Sequence, residues 1–513
     1  MRPVKPAIVL AVLCAALLLP ATPPRANGWE HGAIPLSALL RGLEDGASET
    51  RRRAAESLGL RGQPEAVAPL LARLATPETD PHVRSALYIA LGRLRHPTAL
   101  AALTNCLSGE AREELRGDCA LALGLLADRA GLPPLLTALH NDESILVRSR
   151  AVDALGSFAA PETVAALAGL LGAEEKGNGL RLRAIRALGR SGAAQAVAPL
   201  LSVLRDARDA DETLAAIDGL GALAAPEARE PLTALLEQAP EPAVRARIAV
   251  ALGAIRAGDA LPALVALLGD PEPAIRYFAV EALRELGKPA AAGPLRELAL
   301  GLSEGLDERG EAVLLADPIA ALAELSLLEV ALRGLTELDP AAGLPAYLAA
   351  AAPRALAPGS AAALRLADGF YRVRRAALYG LGYTDAAEAQ ALLAGPAALS
   401  DGDPRIRAVA VRALGVLGRP QTPALLLPML ADAAAEVRWT AAAVLGRLHD
   451  RSAVPALIAG LADGTAEMRR QSALALAYLG DAGARPALLE RAAEDDNAGV
   501  REAATFAASV LSE

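Results

Sequence analysis

One phrase recurs along most of this 513-residue sequence, and its spacing constrains the fold more than any other feature. The clearest copy is DPRIRAVAVRALGVLG at residues 403–418, where an arginine stands eight residues before the glycine of an A-L-G motif. Consecutive copies place that arginine 31 to 33 residues apart, with Thr213 in its place once. The arginines are Arg51, Arg84, Arg116, Arg148, Arg181, Arg245, Arg276, Arg374, Arg407, Arg438, Arg469 and Arg501. A fixed period of this length predicts a repeat architecture.

Each copy has the pattern of two helices. An apolar residue precedes the arginine, a small residue follows three positions later, and an Ala-Leu pair comes six and seven positions later, which is one stripe of a helix. A capping residue four positions before the arginine, such as Asp403, and the following Pro404 predict where the first helix begins. The A-L-G glycine is expected to close this helix. A proline nine or ten residues later, such as Pro455, predicts the first turn of a second helix.

The pattern D-P-x-V-R-x-x-A-x-x-A-L-G, followed by a second apolar helix, resembles the HEAT-repeat family. It is most similar to the short bacterial subtype that also occurs in phycobilisome lyases. The resemblance covers roughly residues 36–300 and 371–513. It implies an all-α fold, an α-solenoid with a right-handed superhelix of about thirteen two-helix repeats, in which stacked neighbours bury each other's apolar stripes.

The periodic arginines are expected to be structural. Because they recur at one position of the repeat, we expect them to bond helix ends or acidic residues of the adjacent repeat and so form a ladder, rather than to bind phosphate. A non-periodic arginine such as Arg354 is expected to contribute little to stability.

Composition and charge narrow the function. Hydrophobic residues make up 53% of the chain and aromatic residues 3%, which is typical of helical repeats. The formal net charge is −9, and all basic residues except Lys5, Lys176 and Lys288 are arginines, with no basic block. Binding to nucleic acid needs a basic surface, so no nucleic-acid partner is expected.

The N-terminus has the pattern of a secretory signal peptide. Arg2 and Lys5 precede an apolar run at 7–19, and prolines and small residues follow up to Ala26. That run is too short to span a bilayer, which takes about 20 residues. We therefore expect residues 1–26 to be removed, no transmembrane span to remain, and the protein to be exported to the periplasm or the exterior.

Two cysteines lie outside the signal peptide. Cys119 occupies the small core position of its repeat, so buried packing is the first interpretation. Cys106 lies on the preceding second helix, and an oxidising compartment could join the two residues in a disulfide. The sequence leaves both alternatives open.

The pattern divides the chain into a signal peptide at 1–26, a repeat array at 27–300, degenerate helical repeats at 301–370, and a second array at 371–513 that ends in a cap. The 98 residues from Arg276 to Arg374 fit three periods, which predicts two degenerate repeats in the gap. Residues 318–338 have the pattern of one long apolar helix. Unequal helices are expected to change the curvature and widen a groove there, although sequence drift within a continuous solenoid would also explain the break.

Aromatic residues near the break are the candidate partner-binding residues, because exposed aromatic side chains often anchor protein partners, although single surface aromatics are also ordinary. They are Tyr347, Phe370, Tyr371 and Trp439. The sequence has no phosphate-binding loop, nucleophile elbow or zinc-type cysteine spacing. No catalytic residue, cofactor site or metal site is therefore predicted.

These observations favour a non-enzymatic scaffold of the bacterial cell envelope or exterior that binds a protein partner of unknown identity along the solenoid, on its second-helix surface. A bilin-lyase-like enzyme or chaperone is an alternative implied by the repeat resemblance alone. A purely structural envelope component is a second alternative.

Overall fold

A computed structural model describes residues 34–172, 179–239, 241–256, 258–354 and 360–511. These residues form α-helices and short 3₁₀ turns, and no β-strand occurs among them. The predicted signal peptide at 1–26 lies outside the described residues. The chain divides into two compact units, Met1–Ala263 and Leu264–Glu513.

The first unit alternates longer first helices with shorter second helices. The first helices are Ser48–Arg61, Pro81–Leu94, Glu113–Leu126, Ile145–Leu155, Leu180–Arg190, Ala210–Ala222 and Pro242–Ile255. The second helices are Leu36–Gly42, Val67–Ala75, Leu100–Gly109, Leu132–Asn141, Pro161–Gly172, Val197–Asp206, Arg229–Gln238 and Leu261–Ala266, the last of which crosses the unit boundary. Short 3₁₀ turns precede most second helices: Pro64–Ala66, Pro97–Ala99, Arg129–Gly131, Ala194–Ala196, Pro226–Ala228 and Gly258–Ala260.

The second unit continues the alternation, with one irregular stretch. Its first helices are Pro273–Leu286, Pro318–Leu338, Ala361–Leu381, Pro404–Leu417, Ala435–Arg447, Ala466–Leu479 and Ala498–Val510. The remaining helices are Ala292–Glu308, Glu311–Ala316, Pro340–Ala350, Ala387–Ala394, Pro396–Leu399, Thr422–Leu426, Val454–Gly460 and Arg485–Glu494. The 3₁₀ turns are Leu267–Gly269, Pro289–Ala291, Leu427–Ala431, Arg451–Ala453 and Ala482–Ala484.

The predicted helix pairs are confirmed. Counted along the described residues, thirteen first helices are each followed by a second helix, and one further helix precedes and one follows these pairs. The expected caps form at several starts: Asp403 accepts a hydrogen bond from the amide of Arg405 at 2.9 Å, and Asp80 accepts one from His82 at 2.9 Å. Ser144 and Thr465 also stand at the N-cap position, but their side chains make no capping bond.

The A-L-G glycine stands at the C-cap in a few repeats, as Gly156 does, but in most repeats its expected role is wrong. Gly92 lies inside the helix Pro81–Leu94, and the left-handed residue that ends this helix is Arg95. The glycine is required by packing instead: a Cβ on Gly92 would stand 2.5 Å from the carbonyl oxygen of Ala122 in the next repeat. These glycines therefore let successive first helices approach backbone to backbone.

The last first helix, Ala498–Val510, presents a mixed outer side. Thr505 and Ser509 are exposed, and so are Phe506 and Val510, at 56% and 43%. No second helix follows it among the described residues. The expected C-terminal cap stays a prediction.

The two cysteines form a disulfide. Cys106 and Cys119 are both buried, and their Cα atoms lie 6.1 Å apart, which suits a disulfide bridge. The bridge joins the second helix Leu100–Gly109 to the following first helix Glu113–Leu126. Of the two alternatives that the sequence left open, the structure therefore has the disulfide.

The break in the repeat is helical and irregular, as predicted, but the expectation of two degenerate repeats is wrong. One first helix, Pro318–Leu338, lies between those that begin at Pro273 and Ala361. The extra length lies in longer helices: Pro318–Leu338 and Ala361–Leu381 have 21 residues each, whereas Pro404–Leu417 has 14. We call residues 292–354 with 360–381 the irregular segment, and residues 404–511 the regular array.

Candidate functional site

Most periodic arginines form the predicted ladder; Arg276 is an exception, since its Nε is buried without a hydrogen-bond partner among the described residues. Arg407 donates from Nε and Nη2 to the carboxylate of Asp432, at 2.8 and 2.6 Å, and from Nη1 to the backbone carbonyl of Asp401 at 2.7 Å. Asp432 also accepts from the amide of Ala434, at 2.8 Å. Its backbone carbonyl then accepts from Arg438 at 3.0 Å, so the chain of bonds continues into the next repeat.

The same forked contact recurs in both units. It joins Arg438 to Asp463, Arg469 to Asp495, Arg116 to Asp142 and Arg51 to Glu78. Forked bonds between guanidinium and carboxylate are among the stronger hydrogen bonds in proteins. The ladder side chains are therefore occupied by structural contacts, which argues against a ligand-binding role for them.

The ladder keeps its carboxylates ionised. The forked hydrogen bond from Arg407 lowers the pKa of Asp432 below its usual range, against the opposing effect of burial. Burial alone would raise the pKa of Asp463, but hydrogen bonds from Arg438 and Thr465 outweigh it and lower that pKa to about 2. These pairs therefore stay charged at neutral pH.

Arg354 is not the weakly engaged residue that the sequence predicted. Its guanidinium pairs with Asp307 at 2.5 Å and lies 5.3 Å from the centre of the Phe370 ring. The irregular segment thus has ion pairs of its own, which the 32-residue period could not reveal.

Tyr347 is a core residue, which corrects its assignment as a partner-binding candidate. It is fully buried, and its hydroxyl lies 3.0 Å from Oγ1 of Thr336. Gly343 and Gly380 leave room for its ring, because a Cβ on either residue would stand 2.5 Å from a ring carbon. Burial also raises the pKa of Tyr347 far above its usual value, so the phenol remains neutral.

The other three candidates lie nearer the surface. Phe370 is largely buried, whereas Tyr371 is partly exposed and carries the guanidinium of Arg405 3.9 Å from its ring centre. Trp439 is partly exposed, with the guanidinium of Arg412 5.7 Å from its ring centre. Phe370 and Tyr371 share one recess, while Trp439 stands apart from it.

That recess, which we call the overhang groove, results from the extra turns of Ala361–Leu381. Arg374 is the fourteenth residue of this helix, whereas Arg407 is the fourth of the next first helix, Pro404–Leu417. The extra turns and the start of the next helix enclose a groove of about 440 Å³. Its lining includes Leu364, Phe370, Tyr371, Asp403, Arg405 and Ile406.

The overhang groove combines exposed apolar surface with charges that are already paired. Leu364 is 67% exposed, although leucine is usually buried. Arg405 pairs with Asp403 at 2.7 Å, and Arg374 pairs with Asp401 at 2.6 Å. The groove therefore offers an apolar and aromatic surface beside charges that already have partners.

A second recess, which we call the tyrosine groove, was missed by the sequence reasoning. Its volume is about 510 Å³, and it is lined by Glu329, Arg333, Thr336, Glu337, Arg375, Ala376, Tyr379, Tyr383, Val409 and Arg412. These residues belong to first helices or, for Tyr383, to the turn that follows one, whereas the sequence reasoning placed the binding surface on second helices. Tyr379 and Tyr383 follow Arg374 by five and nine residues, a spacing that puts both on one helix face and could have revealed them.

Two other kinds of site do not occur in the described ranges. No group of three or more His, Cys, Asp or Glu side chains there is arranged to hold a metal ion. No helix within these ranges has both the length and the apolar character needed to cross a membrane.

Repeated helix pairs joined by an arginine ladder define an α-solenoid, a class whose stacked repeats expose extended binding surfaces. The HEAT-repeat family matches residues 36–124, 132–221, 229–305, 360–436 and 423–509. These matches cover most of the sequence, and the chain belongs to the HEAT-repeat family.

Comparison with solved structures supports the fold. Yeast importin-β, Kap95p, is similar at 14% identity with a TM-score of 0.52, over 98% of this chain and 74% of that one. The CpcE–CpcF complex of phycocyanin lyase from Nostoc is similar at 20% identity with a TM-score of 0.33, over 49% of this chain and 94% of that one. The likeness to importin-β indicates a shared fold alone. Among curated proteins, none matches this sequence.

Proposed function

We propose that this protein is a non-enzymatic scaffold that works outside the cytoplasm and binds another protein through the overhang groove. The observation that carries the proposal is the exposed Leu364 beside the stacked pair of Tyr371 and Arg405. Exposed apolar side chains beside aromatic and arginine residues are typical of the points where protein partners bind most strongly.

The ladder supports a non-enzymatic role. The charged groups that recur once per repeat form ion pairs between repeats, such as Arg407 with Asp432. Catalysis by acids and bases usually relies on groups whose pKa values lie near the working pH. The ladder lowers the pKa of a carboxylate such as Asp432, which moves that pKa away from neutral pH.

Two observations support a location outside the cytoplasm. Residues 1–26 have the pattern of a signal peptide, and the Cys106–Cys119 disulfide is of a kind that persists in oxidising compartments. N-terminal sequencing of the mature protein is expected to begin near Thr22 or Asn27. Thiol labelling without a reductant is expected to leave both cysteines unmodified. An intact Met1 with two reactive thiols would contradict export.

Binding through the overhang groove is tested by capture from the envelope fraction. The wild-type protein is expected to capture a partner protein. Leu364→Asp places a charge in the groove and is expected to abolish that capture. Leu489→Asp is the matched control, because Leu489 is 46% exposed on the regular second helix Arg485–Glu494. Equal capture by both variants, with unchanged circular dichroism, would contradict the proposed groove.

A further inference from the structure

The two carboxylates of the tyrosine groove are bonded mainly to arginines outside its lining. Glu337 receives two hydrogen bonds from Arg284, at 2.6 and 3.0 Å, and Arg284 also pairs with Glu281 at 2.7 Å. Glu329 is buried and receives a hydrogen bond from Arg372 at 3.0 Å. Neither Arg284 nor Arg372 lines the groove. The two glutamates therefore offset only part of the charge of the three arginines that do line it.

Three arginines line the groove, and their hydrogen-bonding capacity is largely unused. Arg333 is exposed and makes no hydrogen bond or ion pair within the described part of the chain. Arg375 lies 3.4 Å from the carboxylate of Glu329, which it shares with Arg372, and its guanidinium is 5.8 Å from the centre of the Tyr371 ring. Arg412 lies 3.7 Å from its nearest carboxylate, that of Glu436. Each guanidinium has five N–H donors, so most of these donors remain available to a ligand.

Two tyrosines add flat apolar surface and a further donor. Tyr379 and Tyr383 are 46% and 45% exposed, and their ring centres lie 5.0 Å apart. Their hydroxyl oxygens lie 2.7 Å apart, so one hydroxyl donates to the other. The second hydroxyl hydrogen is not used in that bond and can be donated to an acceptor on a ligand.

We propose that the tyrosine groove binds an acidic, extended segment of a protein partner. Carboxylates of the segment would accept forked hydrogen bonds from Arg333 and Arg412, and its aliphatic side chains would lie on Tyr379 and Tyr383. This inference rests on the proposed scaffold function and adds the chemistry of the partner.

An acidic peptide fits this site better than a nucleic acid does. The cationic surface is local, whereas the formal net charge of the chain is −9. A long polyanion would extend beyond the three arginines and meet acidic surface, which opposes its binding. A short acidic segment can confine its charge to the groove.

The test measures binding of defined peptides to the full mature protein by fluorescence anisotropy. The probe is a labelled peptide of alternating Glu and Leu, and its matched control has Gln in place of Glu. The Glu peptide is expected to bind about tenfold more tightly at low salt, and added salt should weaken it, since exposed charges are screened. Arg333→Gln and Arg412→Gln are each expected to weaken its binding several-fold. Arg447→Gln should leave binding unchanged, because Arg447 is exposed and does not line the groove.

Three outcomes would overturn the proposal: equal binding of the Gln peptide, no effect of Arg333→Gln, or tighter binding of a single-stranded oligonucleotide than of the Glu peptide. This test and the test of the scaffold proposal can fail independently of each other. If Leu364→Asp abolishes partner capture but the Glu peptide does not bind, the tyrosine-groove proposal fails and the overhang groove stands. If the Glu peptide binds but Leu364→Asp captures the partner normally, the overhang groove is wrong.

Discussion

The regular array and the irregular segment of the second unit use the same residue types in different ways. In the regular array, arginines of the ladder are bonded to the next repeat, as Arg438 is to Asp463. In the irregular segment, ion pairs follow no period, as between Arg354 and Asp307. The regular array thus uses its charged groups to join repeats at a fixed period, whereas exposed apolar side chains occur in both regions, as Leu364 and Leu489 show.

Glycines that face a neighbouring helix differ from glycines that face open space. In the regular array, a Cβ on Gly446 would stand 2.7 Å from the Cα of Ala475. In the irregular segment, a Cβ on Gly301 would have no neighbouring atom within 4 Å, whereas one on Gly369 would stand 2.9 Å from Cδ1 of Leu325. Close packing at glycine therefore occurs in both regions and depends on the position.

The largest expected effect comes from Gly446→Val. The added side chain would force the first helices Ala435–Arg447 and Ala466–Leu479 apart, at a cost of about 3 kcal/mol of unfolding free energy. Gly301→Val adds the same atoms in open space and is expected to change stability by less than about 0.5 kcal/mol. Urea unfolding measures both variants. Equal losses would show that close approach of the helices at Gly446 does not limit stability.

Arg438→Ala is expected to have the next largest effect. It removes the forked bond and leaves the carboxylate of Asp463 without its main partner, at a cost of about 1.5–3 kcal/mol. Arg447→Ala removes an exposed arginine of the same helix and is expected to cost less than about 0.5 kcal/mol. Thermal unfolding of the two variants compares them directly, and similar midpoints would contradict a structural ladder.

The ladder also predicts how stability depends on pH. The folded pKa of Asp463 is about 2, below the value of roughly 3.9 in an unfolded chain. Its contribution is therefore complete above the unfolded pKa and is lost as the pH falls through the folded pKa, between about pH 4 and 2. In Arg438→Gln, the unfolding free energy should depend less on pH in this range. An unchanged slope in that variant would show that the pair does not control acid unfolding.

The smallest expected effect is a gain of stability. Gly301→Ala replaces an exposed helical glycine and should raise the unfolding free energy by about 0.5–1 kcal/mol, because alanine loses less backbone entropy on folding. Gly446→Ala should lower it, since its Cβ would overlap with Ala475. A gain from both substitutions, measured by urea unfolding, would remove the contrast between the two positions.

Much of the fold follows from the sequence because the repeat carries local signals. The caps at Asp80 and Asp403, and the arginine at a fixed offset from A-L-G, indicate where the regular first helices begin. The glycine was misassigned because a glycine that ends a helix and one that permits close packing look alike in sequence. Residue count also could not distinguish an additional repeat from longer helices such as Ala361–Leu381.

The grooves were harder to predict, since they depend on contacts between segments far apart in sequence. The sequence drew attention to Phe370 and Tyr371, which do line a groove, and to Tyr347, which does not line that groove. Nothing in the period shows that Gly343 and Gly380 make room for the ring of Tyr347. That the arginines of the tyrosine groove have unused N–H donors can likewise be recognised only once the ion pairs around them are known.

The central claim is that the grooves between the irregular segment and the first helix of the regular array bind the partner, while the rest of the regular array provides stable structure. Photo-crosslinking in living cells tests it even though the partner is unidentified. A photoreactive amino acid would replace Leu364 in the overhang groove or Leu489 in the regular array, both of which are exposed. We expect one discrete protein adduct from position 364 and none from position 489. The same adduct from both positions, or an adduct from position 489 alone, would contradict the account.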